Sequence, residues 1–124
     1  MLFRSGTWGT RAGASGNVVK IWRLKGGGAP ALVDSVVIEG IRTVSDLAVS
    51  DDGRLLMASA EGIPGQGIYW YRLTNPAKPA LVGKVLVGSG IHTTTYARIN
   101  GKLYAFAARN PPNPALEIYD LSGL

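Results

Sequence analysis

Residues 18–38 read VVKIWRLKGGGAPALVDSVVI, and 49 positions later residues 67–87 read GIYWYRLTNPAKPALVGKVLV. At that offset Arg23-Leu24 falls on Arg72-Leu73, and the run from Pro30 to Val33 falls on the run from Pro79 to Val82. Each stretch holds two segments rich in β-branched and aromatic residues, separated by a Gly- or Pro-rich link, which is the composition of strand, turn and strand. Self-similarity at a period of about 20–50 residues marks a repeat architecture and decides the fold before any single element does. A third copy of the aromatic strand follows as LEIYDL, residues 116–121, and GRLLMASA (53–60) matches GKLYAFAA (101–108) at a spacing of 48.

Working outward, each unit is expected to hold four strands. They are 31–38 and 80–87, then 43–49 and 93–99, then 54–60 and 102–108, and last 67–73 and 115–121. The steps Asp52-Gly53 and Asn100-Gly101 are read as two-residue type I′ turns, which need φ > 0 at both central residues. A meander of four antiparallel strands is what a β-propeller blade looks like. The expected class is therefore all-β: residues 1–24 form the last two strands of a truncated blade, and 25–73 and 74–124 are two complete ones. The leading strand of each unit, ALVDSVVI or ALVGKVLV, is nearly all apolar, so cover is expected on both of its faces. Closed propellers need about four to eight blades. The expectation is an incomplete ring, either a fragment of a longer protein or a protomer that closes the ring as a homo-oligomer.

Composition sets limits on function. At 46% hydrophobic and 17% charged residues, the 124-residue chain is not intrinsically disordered, and 17 glycines and 7 prolines suit strands joined by tight turns. Cysteine is absent, which excludes disulfides and thiolate metal sites. The net charge of +5 is weighted to one end, where Arg4, Arg11, Lys20, Arg23 and Lys25 precede the first acid, Asp34. That is a biased end, not the patterned patch of a nucleic-acid binder. No apolar run approaches a membrane span, and MLFRSGTWGT lacks the apolar core of a secretory signal and reads as a strand.

Residues 73–83, LTNPAKPALVG, resemble the LVIVD-repeat β-propeller family, in which an outer strand passes through an Asn-Pro step into the next blade. IYDL, residues 118–121, followed by Ser122-Gly123, is similar to the same element. The resemblance covers most of the chain from about residue 17. It implies a propeller, commonly exported or cell-surface associated, with no general catalytic activity. The family often carries a His-Asp pair in the second strand. Asp46 fits the Asp, Ser45 stands in place of the His, and His92 lies in the next unit. Residues 47–56, LAVSDDGRLL, are similar to a hairpin shared by lactonase-like and YVTN-type propellers.

Three residues are candidates for a ligand or channel site. His92 is the only histidine, followed by three threonines and with no carboxylate near it in sequence. It could move a proton near neutral pH, but one histidine does not complete a zinc site. Arg42, in the preceding unit, could sit beside it. Asp46 is a charge within an apolar strand, read either as a channel-facing ligand or as a backbone cap. Asp51 and Asp52 are explained by turn chemistry. Trp22, Tyr69, Trp70 and Tyr71 alternate between faces, Ile68 and Trp70 on one and Tyr69, Tyr71 and Leu73 on the other, so packing between blades accounts for them better than base stacking. Gly26-Gly27-Gly28 opens no helix and lacks the amide nest of a phosphate loop.

No catalytic residue type recurs or clusters, no cofactor or metal site is assembled, and a non-enzymatic role in binding or scaffolding is expected, with protein partners or further blades of the same ring. The alternative is part of a propeller hydrolase or lactonase whose metal ligands come mainly from other blades, with Asp46, Arg42 and His92 as local contributors.

Overall fold

The β-branched runs picked out above are strands in the computed structural model, which describes residues 2–9 and 13–124. Among these residues there is no helix, and the strands are β1 (Leu2–Gly6), β2 (Val18–Arg23), β3 (Ala31–Val37), β4 (Thr43–Val49), β5 (Leu55–Glu61), β6 (Gly67–Arg72), β7 (Ala80–Leu86), β8 (Ile91–Ile99), β9 (Lys102–Arg109) and β10 (Ala115–Asp120). The chain is all-β. Residues 10–12, including Arg11, lie outside the described residues.

The strands form three antiparallel sheets, ordered β1-β2-β3, β4-β5-β6-β7 and β10-β9-β8. The sheets start at a different phase of the repeat from the expected units. Residues 31–37 do not pair with 43–49; they pair back onto β2, and β7 likewise pairs back onto β6. The boundaries drawn at 24/25 and 73/74 therefore fall inside sheets, and the chain crosses from sheet to sheet at 38–42 and 87–90. A short link such as Leu73 to Pro79 lets the chain fold straight back beside the strand it has just left, so the hairpin forms across the Asn-Pro step.

Burial follows from this. β3 and β7, expected to be covered on both faces, lie at sheet perimeters, and Leu32, Val37, Leu81 and Leu86 are exposed. Their apolar character serves pairing and one-sided contact, not an interior position.

The two glycine turns also differ from each other. Asn100 and Gly101 have φ of 49° and 79° and close Ile99 onto Lys102, as a type I′ turn requires. At the other turn only Gly53 has positive φ, 71°, and the last pair is Val49 with Leu56. Side chains hold this wider loop: Ser50 Oγ donates to Asp52 Oδ1 at 2.7 Å and accepts from the Leu55 amide at 3.0 Å, and Asp52 Oδ1 also accepts from the Arg54 amide. Because the turns differ, the 48-residue match of the third strands is one residue out of register. Leu56 lies opposite Tyr71 and Ala105 opposite Tyr119, so Ala105, not Tyr104, is the counterpart of Leu56. A one-residue slip reverses every side chain's face, which is why Ala105 and Ala107 are buried while Phe106 between them is not.

Two apolar layers hold the sheets face to face. Between the first and central sheets, Val19 and Ile38 pack with Leu56, Ala58, Tyr69 and Tyr71. Between the central and third sheets, Met57, Ile68 and Trp70 pack with Ile91, Ala105, Ala107 and Leu121. The alternation along β6 thus sends its two sets of aromatic residues into different layers. Trp70 meets Tyr119 edge to face, with ring centroids 5.5 Å apart and planes at 68°, the geometry the ring quadrupoles favour.

Candidate functional site

β4 and β8, the first strands of the central and third sheets, pack against each other. Each carries a bulge near its start: the register of β4 on β5 skips Ser45, and that of β8 on β9 skips His92. A bulge leaves one residue unpaired and re-aims its side chain. Ser45-Asp46 and His92-Thr93 are therefore the same two positions in successive sheets, 47 residues apart. Sequence alignment of 43–49 with 93–99 hides this, because it assumes turns of equal length.

The carboxylate of Asp46 is engaged with backbone. Oδ2 accepts from the Thr94 amide across the sheet boundary at 3.0 Å, and Oδ1 accepts from the Leu47 amide at 2.9 Å. Ser59 Oγ, fully buried, lies between the Asp46 carbonyl (3.5 Å) and the His92 carbonyl (3.3 Å). Asp46 thus caps amides of both sheets, and it reaches β8 at Thr94, two residues beyond His92.

His92 has a different partner. Its Nδ1 lies 2.8 Å from Glu61 Oε1, and the same oxygen accepts from Asn110 Nδ2 at 3.1 Å. The Ser45 hydroxyl is buried beside this carboxylate but has no partner in hydrogen-bonding geometry. Trp8, Thr43, Val44, Ser45, Glu61 and His92 line a cleft of about 140 Å³ between the sheets. Arg42 borders it through backbone only: its amide donates to the Glu61 carbonyl at 2.8 Å, its carbonyl accepts from Gly16 at 2.7 Å, and its exposed side chain lies against Gly62. The structure therefore brings His92 and Asp46 to adjoining strands, gives their side chains separate partners, and leaves the Arg42 side chain outside the cleft lining.

Glu61 and Asn110 were not picked out from sequence. The available signal is their separation of 49, the repeat period itself: Glu61 ends β5 and Asn110 directly follows β9. His92 has no acid near it in sequence, yet the fold supplies one from 31 residues upstream.

Burial pushes the Glu61 carboxyl up, but hydrogen bonding from His92 and Asn110, the nearby Ser45 hydroxyl and the charge on His92 outweigh it and hold the group below its ordinary value of 4.5. A carboxyl lowered in the folded state adds stability above its unfolded value, and that stability is lost as pH falls through the folded value. The expected result is that the wild-type chain loses stability as pH drops below about 4.5, while Glu61→Gln flattens that part of the profile; urea midpoints measured between pH 6 and pH 3 check it. Parallel profiles for the two proteins would show that the His92–Glu61 contact does not form in solution.

The chemistry available here is hydrogen-bond acceptance by an ionised carboxylate, with an imidazole beside it. Among the described residues no group of three or more His, Cys, Asp or Glu side chains is placed to hold a metal ion, and there is no helix long and apolar enough to cross a membrane. No family model, curated protein or solved structure matches the chain.

Proposed function

We propose that the chain is a segment of a non-enzymatic β-propeller of LVIVD-like repeats that acts in binding and scaffolding, its partner being a further sheet of the same kind. One observation carries this reading. Ile68 and Trp70 on β6 are 0% and 3% exposed because the third sheet covers them, whereas the corresponding Leu116 and Ile118 on β10 are 66% and 57% exposed. Phe106 stands opposite Ile118 and extends the same apolar row. Neighbouring uncovered apolar side chains, where the equivalent positions of the central sheet are covered, point to an interaction surface. Among the described residues the outer edge of β10 pairs with no strand, where the equivalent edge of β6 pairs with β7, so a strand can add there.

The test is sedimentation of the purified chain across a concentration range beside the Leu116→Lys/Ile118→Lys double variant. The wild type is expected to gain mass with concentration and the variant to stay monomeric. A wild type that remains monomeric throughout would sink the reading.

A second reading, part of a propeller hydrolase or lactonase, is favoured by the His92–Glu61 pair beside a cleft. Divalent-ion binding by the wild type that Asp46→Ala abolishes would support it over the first.

A further inference from the structure

A cleft of about 630 Å³ lies at the opposite end of the boundary between the central and third sheets from His92. Its floor is apolar and comes from both sheets. Leu55 and Leu73 belong to the central sheet, Leu103 and Leu121 to the third, and corresponding backbone bonds set them: Leu73 N to Arg54 O at 2.8 Å and Leu121 N to Leu103 O at 3.0 Å.

Its rim carries four cations and one acid, Asp52. Arg54 comes from the β4–β5 turn, Arg72 from the end of β6, Arg98 from β8 and Lys102 from the start of β9. Arg98 is committed to acids, donating to both oxygens of Asp51 at 2.7 and 2.8 Å with Asp52 at 3.7 Å. That pair ties the β4–β5 turn to β8 and fixes the cleft's width. Asp120, near Lys102, accepts from the amide and hydroxyl of Ser122. Among the described residues no carboxylate lies within 4.0 Å of Arg54, Arg72 or Lys102. A volume of this size lies within the range of small-molecule sites, about 300–1,000 Å³, and the usual pattern is an apolar lining with a few convergent polar groups.

We propose that this cleft binds a small amphipathic anion, an aromatic or branched apolar body on the leucine floor with a phosphate, carboxylate or sulfonate head held by Arg54, Arg72 and Lys102. Arginine suits such heads because its planar fork meets two oxygens at once. The apolar body is required, because exposed cations alone hold a free anion weakly against water and salt.

The experiment titrates 1-naphthyl phosphate, 1-naphthol and inorganic phosphate into the full chain, read by amide chemical shifts. Naphthyl phosphate is expected to saturate, to shift Leu55, Leu73 and Leu103, and to bind more tightly than either of the other probes. Arg54→Gln/Arg72→Gln is expected to weaken it by about tenfold or more, the loss of charge-assisted hydrogen bonds. Both arginines are exposed, so the variant's thermal midpoint should match wild type; Lys102→Gln alone serves if it does not. Shifts confined to Leu116–Ile118, an affinity unchanged by the substitutions, or inorganic phosphate binding as tightly as the naphthyl ester would each overturn the proposal.

Discussion

Replacing Trp70 with alanine is expected to lower the unfolding free energy by about 3–5 kcal/mol, the range for truncating a large aromatic side chain in a core. Trp70 is 3% exposed, lies in the layer between the central and third sheets, and makes the edge-to-face contact with Tyr119. The surrounding side chains sit on four other strands of two sheets, β5, β8, β9 and β10, so they cannot all move inward to fill the space without breaking ladder bonds elsewhere. A domain of this size is stable by about 5–15 kcal/mol, so the change removes a large share of the total. Trp22→Ala is the internal control. That indole sits on β2, is only half-buried, and donates from Nε1 to Ser5 Oγ at 3.1 Å, so its loss should be clearly smaller. Urea unfolding of both variants decides the point, and equal losses would mean that the layer between the second and third sheets is not packed as described.

A second large effect is expected from one added methyl. Gly67 opens β6 opposite Leu86 with φ of 151°, and a Cβ there would stand 2.0 Å from the Val85 carbonyl oxygen and 2.9 Å from Leu86 Cα. Both obstacles are backbone, so no rotamer change relieves the clash. β7 must part from β6 or the strand must twist. Overpacking and backbone strain each cost about 1–3 kcal/mol, and together Gly67→Ala should cost roughly 3 kcal/mol or more. Gly53→Ala isolates the conformational part, because φ there is 71° and an added Cβ meets nothing within 4 Å. It should cost about 1 kcal/mol. Amide exchange along β7 should quicken in Gly67→Ala and stay unchanged in Gly53→Ala. If the two substitutions cost the same, the close β6–β7 approach is absent in solution.

These two sites show what a sequence pattern carries and where it stops. The alternation of Ile68 and Trp70 against Tyr69 and Tyr71 predicts two opposite faces, and both are buried, in different layers. The 49-residue repeat likewise predicts equivalent strands, and Asp52-Gly53 is legible as a turn, though not as the wider loop it forms with Ser50. What the pattern does not reveal is which strand a given segment pairs with. ALVDSVVI is equally compatible with opening one sheet or closing the sheet before it, since both positions reward β-branched residues. The link lengths and the approach permitted by Gly67 settle that choice.

The candidate site was legible only in halves. Asp46 and His92 stand out as a charge in an apolar strand and a lone histidine, but their partners do not. Thr94 reaches Asp46 through its amide, which is invisible in residue identity, and Glu61 reaches His92 from another sheet.

The sequence by itself determined that the chain is built of strands, where most of them run, their period and the faces they turn, because these depend on local propensity and on the alternation of side chains along a strand. Only the tertiary structure decided how the repeats divide into sheets, that β3 and β7 lie at the perimeter, and that His92 meets Glu61 while Asp46 meets Thr94. Those outcomes depend on turn widths, bulges and the stacking of one sheet on the next, where a shift of a single residue moves a side chain from a buried layer to solvent.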